Sequence, residues 1–508
     1  MVTKAQARRN GMVALVVGMT LVVTALSWGF DQVVGGSDSA DDSSQPTSAP
    51  GSSEDAEAGQ APFADPALVG QPWTTASVEG ILTFRGNPTR TYFGQGPVPR
   101  DPEIGFKFPT NPMCSESTDL GETKTWCGMG WTGQPAVFER DDRTWAVFGA
   151  YDRNVHFIDA DTGERILPDF PTGDLIKGSV TIDPDGYPLV YTGGRDNFLR
   201  VLSIDGDTAT ELWKVSSEAV SPVRWNDDWD ASPLVINDYL IEGGENGQFH
   251  IFRLHRGYDD AGEVTVDPEL IFNTPGWDDT LLAELPDDTV SIETSPVMVG
   301  DTVYFANSGG LVQGWDLSGL GTGEAPRRTF RYWVGDDTDA TMSTDADGML
   351  YVAVEWERSL QRSSEVGQLL KLDPNAEGDP LVWKVDDREV KPGGLWASPA
   401  VTDDSVYAAT NAGEVFAVDR ASGVKRWSIR LPGPTWGSPV VVDDVLLIGD
   451  CGGTFHAYDV SDPTVEPPEI WSLELGGCIE STPAVWNDRI LIGTRGGFLH
   501  MITSAGDG

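Results

Sequence analysis

The feature that most limits what this chain can fold into is a module that recurs along it. At residues 433–459 it reads GPTWGSPVVVDDVLLIGDCGGTFHAYD, and from Gly477 a near copy follows, GCIESTPAVWNDRILIGTRGGFLHMIT. The modules are anchored on a Ser/Thr-Pro or its equivalent at Pro135, Val180, Pro233, Pro296, Thr344, Pro399, Pro439 and Pro483. Successive anchors lie 45, 53, 63, 48, 55, 40 and 44 residues apart, a period typical of units that share one continuous core.

Inside a module the order is constant: an apolar run, an acidic turn, a second run, a Gly or Asn turn, and a third run of alternating residues. Asp-Gly and Gly-Gly between such runs are hairpin signals. Most modules continue to a fourth run carrying Trp213, Phe272, Trp333, Trp383, Trp427 or Trp471. A single four-stranded sheet cannot cover its own two faces, whereas sheets stacked around an axis cover each other's. The pattern therefore predicts an all-β chain, an eight-bladed β-propeller of four-stranded antiparallel blades, with these aromatics as wedges between blades. The last module stops after its third strand, GGFLHMI. PEIGFKFP, residues 102–109, is expected to complete that blade and close the ring, which removes the exposed sheet edge.

The propeller is placed at 102–504, with a leader at 71–101 packing on it. Residues 31–70, rich in Ser, Gly and Asp, are expected to form a disordered acidic linker. Residues 11–30 carry no charge and follow a basic flank, 1–10, with Lys4, Arg8 and Arg9. Twenty such residues predict a signal-anchor helix that crosses the cell membrane once and leaves the C-terminal body outside. Cleavage as a signal peptide, giving a secreted protein, is the alternative. The formal net charge of −45 repels phosphates, so nucleic acid is excluded as a partner, while cations and basic partners are favoured.

Loops entering the first strands share a face with the turns joining strands two and three. Three residues before each anchor stand Thr132, Lys177, Asp230, Glu293, Thr341, Trp396, Trp436 and Glu480, expected to ring a funnel mouth. The residues one place earlier, mostly apolar, are expected to turn away. Lys177, Asp230, Glu293, Trp396, Trp436 and Glu480 are the candidate ligand-binding set, with a salt bridge to a ring acid expected for Lys177. WNDDWD makes Asp227, Asp228 and Asp230 the candidate ligands for a divalent cation. DPDG at 183–186 and DADG at 345–348 read as hairpin turns. Cys114 and Cys127 share one loop before blade one, Cys451 and Cys478 lie on adjacent loops of the funnel face, and these two pairs are the expected disulfides among three connectivities. His156, His250, His456 and His500 recur on third strands, which points to packing, because a catalytic set would converge.

SPAVTDDSVYAATNAGEVFAVDRASGVKRW at 398–427 and ILTFRGNPTRTYFGQG at 81–96 carry a resemblance that spans 81–503. The chain resembles the PQQ-binding-like repeat family of eight-bladed propellers, which includes quinoprotein alcohol dehydrogenases and the outer-membrane assembly scaffold BamB. The resemblance implies either a binding scaffold or a dehydrogenase using pyrroloquinoline quinone (PQQ) and calcium. For the dehydrogenase, Trp396 or Trp436 would resemble the stacking floor, and Asp230, Glu293 or Glu480 a calcium ligand or base. Departures are the missing adjacent cysteine pair, the missing set of convergent arginines and the missing CxxCH. The expected function is thus a non-enzymatic scaffold without cofactor that binds a protein or cell-envelope polymer at the funnel. The alternative is an alcohol- or sugar-oxidising quinoprotein with Asp230 and Glu293 as catalytic residues.

Overall fold

The computed structural model describes residues 62–506 apart from 74, 75, 120 and 132. Among these, eight antiparallel blades follow one another, their first strands starting at Ala136, Thr181, Leu234, Val297, Ser343, Ala400, Val440 and Ala484, each one residue from its anchor. The Ser/Thr-Pro signature has a direct physical role. Gln134 N donates to Ser179 Oγ, Ser232 N to Ser295 Oγ and Ser398 N to Ser438 Oγ, at 2.9, 2.9 and 3.0 Å, so the hydroxyl before an anchor satisfies a backbone amide of the blade before it.

The fourth-strand aromatics are wedges, and each sits at a register shift: Trp213 opposite Val201, Phe272 opposite Ile251, Trp383 opposite Lys371, Trp427 opposite Ala417 and Trp471 opposite Ala457. In the fourth blade the wedge is Phe330, opposite Gly314. Trp333 lies three residues on, and its indole bonds Gly309 O of its own blade at 3.0 Å. The indoles of Trp383 and Trp427 donate to Arg420 O and Pro463 O in the following blade, at 3.0 and 3.2 Å. Gly423 (φ +72°) makes room for this: a Cβ there would come within 2.6 Å of the Trp383 ring.

Closure occurs as expected. Pro102–Phe108 pairs antiparallel with Phe498–Ser504, with Phe108 opposite Leu499 and Pro102 opposite Ser504. The leader goes further than packing on the outside. Gly80–Ile81 lines the first strand of blade one, Gly94–Gln95 lines that of blade eight, and the segment between them enters the ring. There the fully buried Arg85 donates to Ser343 Oγ, Pro399 O and Pro439 O at 3.1, 2.5 and 2.6 Å. Arg90 donates to Ser232 O and Pro296 O at 3.0 and 2.9 Å. Gln134 accepts from Arg85 N and donates to Pro483 O, and Thr83 meets Thr181, so every blade is tied to this plug directly or through one side chain. Arg85 and Arg90 both adopt left-handed backbone angles, φ 56° and 58°, a strain held by these surrounding bonds.

Both expected disulfides are present, Cys114–Cys127 and Cys451–Cys478. The single-pass membrane placement is corrected. Among the described residues no helix is long and apolar enough to cross a membrane, and the two α-helices, Asp279–Glu284 and Gln361–Val366, have six residues each where about 20 are needed. Residues 11–30, on which that expectation fell, lie outside the described residues.

Candidate binding face

The orientation of the funnel residues is set by what lies behind them. Ile176, Ile292 and Ile479 are buried against Gly149, Gly243 and Gly449 of the preceding blades, where a Cβ would come within 2.2, 2.2 and 2.3 Å of the isoleucine. Each glycine at the end of a second strand thus receives the side chain that precedes a rim residue. In blade one Met129 takes that place, against Gly493, which leaves Trp131 half-buried at the rim.

Lys177 sits among three buried carboxylates. Its ammonium contacts Asp230 and lies 3.0 Å from Glu245 and 3.4 Å from Asp228, while Arg195 Nε bonds Asp228 at 2.7 Å. Asp228, Asp230 and Glu245 offer ligand atoms all within 4.8 Å of one another, a group able to chelate a divalent cation. Asp227, expected in this group, stands outside it and is half-buried. Glu245 was missed; it comes from the turn between strands two and three, GGENG. Burial, reinforced by Glu245, pushes Asp228 up to about 7 and raises Asp230 well above the usual carboxylate range.

Blades four and five continue the acidic arc. Glu293 accepts from Ser291 Oγ at 3.0 Å, and Asp339 from Ser308 Oγ at 2.7 Å. Burial raises Asp339 and Glu355 well above the usual carboxylate range, helped by Asp337 and Glu293. Arg358 serves this arc through Asp287 at 3.1 Å and Asp337 at 3.4 Å. Glu355 and Arg358 escaped the sequence reading because they lie in the insertion of blade five, and Asp337 and Asp339 because they stand further from the anchor than the counted rim position.

Across the funnel the chemistry changes. Trp396 and Trp436 stack with ring centroids 5.3 Å apart and an interplanar angle of 22°. Their N–H groups are turned inward, Trp396 to Gly393 O at 3.0 Å and Trp436 to Asn411 Oδ1, and Trp131 donates to Trp396 O at 3.0 Å. The half-buried pair therefore presents π surface rather than donors. Glu480 accepts from Arg495 at 3.1 Å on both oxygens, and that guanidinium lies over Trp126 and Tyr151 at 4.9 and 4.8 Å. Thr341 is a structural member of the rim, its hydroxyl accepting from Ser295 N at 2.9 Å. The recurring histidines are buried within blades. His156 lies between Asp152 and Asp169 at 3.1 and 3.0 Å, and His456 between Glu469 and Asp450 at 3.0 and 3.3 Å. Asp183 and Asp345 accept the hydroxyls of Tyr191 and Tyr351 at 2.7 and 2.6 Å, which fixes DPDG and DADG as turns.

A family model described as outer membrane protein assembly factor BamB matches residues 366–507. The chain is an eight-bladed propeller, and its residues 366–507 resemble this PQQ-repeat family. Among solved structures it is similar to the quinohemoprotein alcohol dehydrogenase of Comamonas testosteroni, with 13% identity, 84% of this chain and 81% of that one covered, and a TM-score of 0.55. The computationally designed Ika8 protein gives 13% identity, 74% and 96% coverage and a TM-score of 0.52. BamB of Moraxella catarrhalis gives 15%, 80% and 92%, and 0.39. No curated protein matches. Likeness at these identities is likeness of fold, and one fold hosts many functions.

The residues present do not fit PQQ. A tricarboxylate needs convergent cations, yet Lys177, Arg195, Arg358 and Arg495 are each engaged by carboxylates of the same face. Calcium fits the chemistry of Asp228, Asp230 and Glu245, although the Lys177 ammonium lies among the same oxygens.

Proposed function

We propose that this propeller is a binding scaffold whose funnel face takes a lysine- or arginine-bearing segment of a protein or cell-envelope polymer. The observation that carries this reading is the Trp396–Trp436 stack facing a funnel in which acids outnumber bases. Asp228, Asp230, Glu245, Glu293, Asp337, Asp339, Glu355 and Glu480 stand there against Lys177, Arg195, Arg358 and Arg495. A cationic side chain laid on an indole face is attracted by the ring quadrupole, and surrounding carboxylates supply long-range attraction. The rigid blades hold these groups in place beforehand, which limits the ordering cost of binding.

Titration calorimetry with a capped hexalysine peptide tests the reading. Trp396→Ala and Trp436→Ala should each weaken binding about tenfold or more, as truncated aromatic anchors do. Unchanged affinity in both variants, or equal affinity for the acetylated peptide, would sink it.

A quinoprotein-like dehydrogenase is the second reading. The cation-capable trio and the fold likeness speak for it, and the charge of the funnel speaks against it. Dye reduction on adding PQQ, calcium and an alcohol, lost in Asp230→Asn or Glu293→Gln, would replace the scaffold reading with this one.

A further inference from the structure

The face opposite the funnel carries a second built cavity, of about 280 Å³, between blades one and two. Val78, Ile182 and Ile204 give it apolar walls, and its rim holds Glu139, Asp141 and Asp205 around Arg140. Arg140 bonds Asp141 at 3.1 Å and lies 3.8 Å from Asp205, while Glu139 accepts from Thr144 and Trp486, so the three acids of the rim outnumber its one cation.

One side of the cavity is supplied from a different blade. Tyr258 belongs to the hairpin of Gly257–Tyr258 and Val264–Thr265, inserted in blade three, and its ring stacks on Tyr187 of blade two at 5.5 Å and 22°. Arg256 pins the hairpin in this position. It bonds Asp183 at 2.7 Å, Asp185 at 2.8 Å and Asp238 at 3.0 Å, and its guanidinium lies 5.1 Å from the Tyr187 ring. Three carboxylates from two blades thus fix a tyrosine that remains 56% exposed. Tyr258 holds an exposed ring face at the wall of the cavity.

We propose that this cavity is a second recognition site, which takes one lysine or arginine side chain of a basic protein segment. The apolar walls cover the methylene stem, the free face of Tyr258 meets the cation, and Asp141 and Asp205 supply the remaining negative charge. The choice of a cation follows from the acidic excess of the rim. The site is independent of the funnel, and together the two give the ring a cation-binding surface on each face.

A capped peptide of alternating glycine and lysine carrying a central diazirine tests this on the full chain, with adducts located by mass spectrometry. Labelling is expected within 139–141 and 257–265. It should fall about tenfold in Tyr258→Ala and in Asp205→Asn, while labelling of 393–396 and 434–436 at the funnel persists. Labelling here that survives both substitutions overturns the proposal. So does equal labelling by the lysine-acetylated peptide, or displacement by an uncharged oligosaccharide but not by lysine amide. Loss of the funnel adducts alone would count against the funnel reading and leave this site standing.

Discussion

The Arg85 guanidinium donates to the carbonyl oxygen of Pro439 at 2.6 Å, across 354 residues of chain. With its bonds to Ser343 and Pro399 it joins three blades from the centre of the ring. Arg85→Ala would leave those acceptors unpaired beside a new cavity. A loss of about 3–5 kcal/mol is expected, read as a lowered urea midpoint, and a change below about 1 kcal/mol would show that the plug does not hold the blades.

Lys177→Met removes the ammonium from among Asp228, Asp230 and Glu245 and leaves Arg195 as their cation. Uncompensated buried charge of this kind costs about 3–5 kcal/mol. Calcium should then recover part of the loss in the variant and have little effect on the parent chain, seen as a calcium-dependent rise in melting temperature. No calcium response in the variant would remove the trio as a cation site.

Cation binding at the funnel should strengthen with pH. Burial holds Asp230, Asp339, Glu355 and Glu480 above their ordinary range and Asp228 up to about 7. A bound cation favours the ionised form of these groups, so binding releases protons. Hexalysine affinity should rise between about pH 5 and pH 8, with calorimetric heats that depend on the buffer's ionisation enthalpy. The sign for folding is the reverse: an acid with a raised folded pKa gives stability that is lost as pH rises from about 4 towards 7. Asp228→Asn should flatten that slope.

Gly423→Ala tests the wedge contact. The new methyl would press on the Trp383 ring at a left-handed backbone position, φ +72°. A destabilisation of about 2–4 kcal/mol follows from overpacking and backbone strain together, measured by chemical denaturation. Trp383→Leu should relieve most of the clash in the double variant, giving a coupling energy that an unrelated pair would not show.

The ring was legible because its signals are local and repeated. Ser/Thr-Pro anchors, acidic turns and second-strand glycines each recur at a fixed place, and the incomplete last module pointed to residues 102–109. The rim at Lys177, Asp230, Glu293, Trp396, Trp436 and Glu480 followed from counting back from those anchors. Counting failed where spacing is irregular. Blade one is offset, so Met129 fills the interface and Trp131 reaches the rim, and blade four uses Phe330 where Trp333 was expected. Glu245 and Arg495 lie on turns whose face was known but whose side-chain direction depends on the blade beside them. Arg85 and Arg90 were invisible for a further reason: most of their partners are backbone carbonyls, which leave no mark in a sequence.

Synthesis runs from the amino end, so Arg85 leaves the ribosome hundreds of residues before the carbonyls of Pro399 and Pro439 exist to receive it. The same holds for Pro102–Phe108, whose partner strand, Phe498–Ser504, follows hundreds of residues later. The nascent chain must therefore hold Arg85 and Pro102–Phe108 without these partners while blade after blade is added. Closure of the ring waits for Phe498–Ser504, so a ribosome that stalls before Phe498 releases an open arc rather than a smaller propeller.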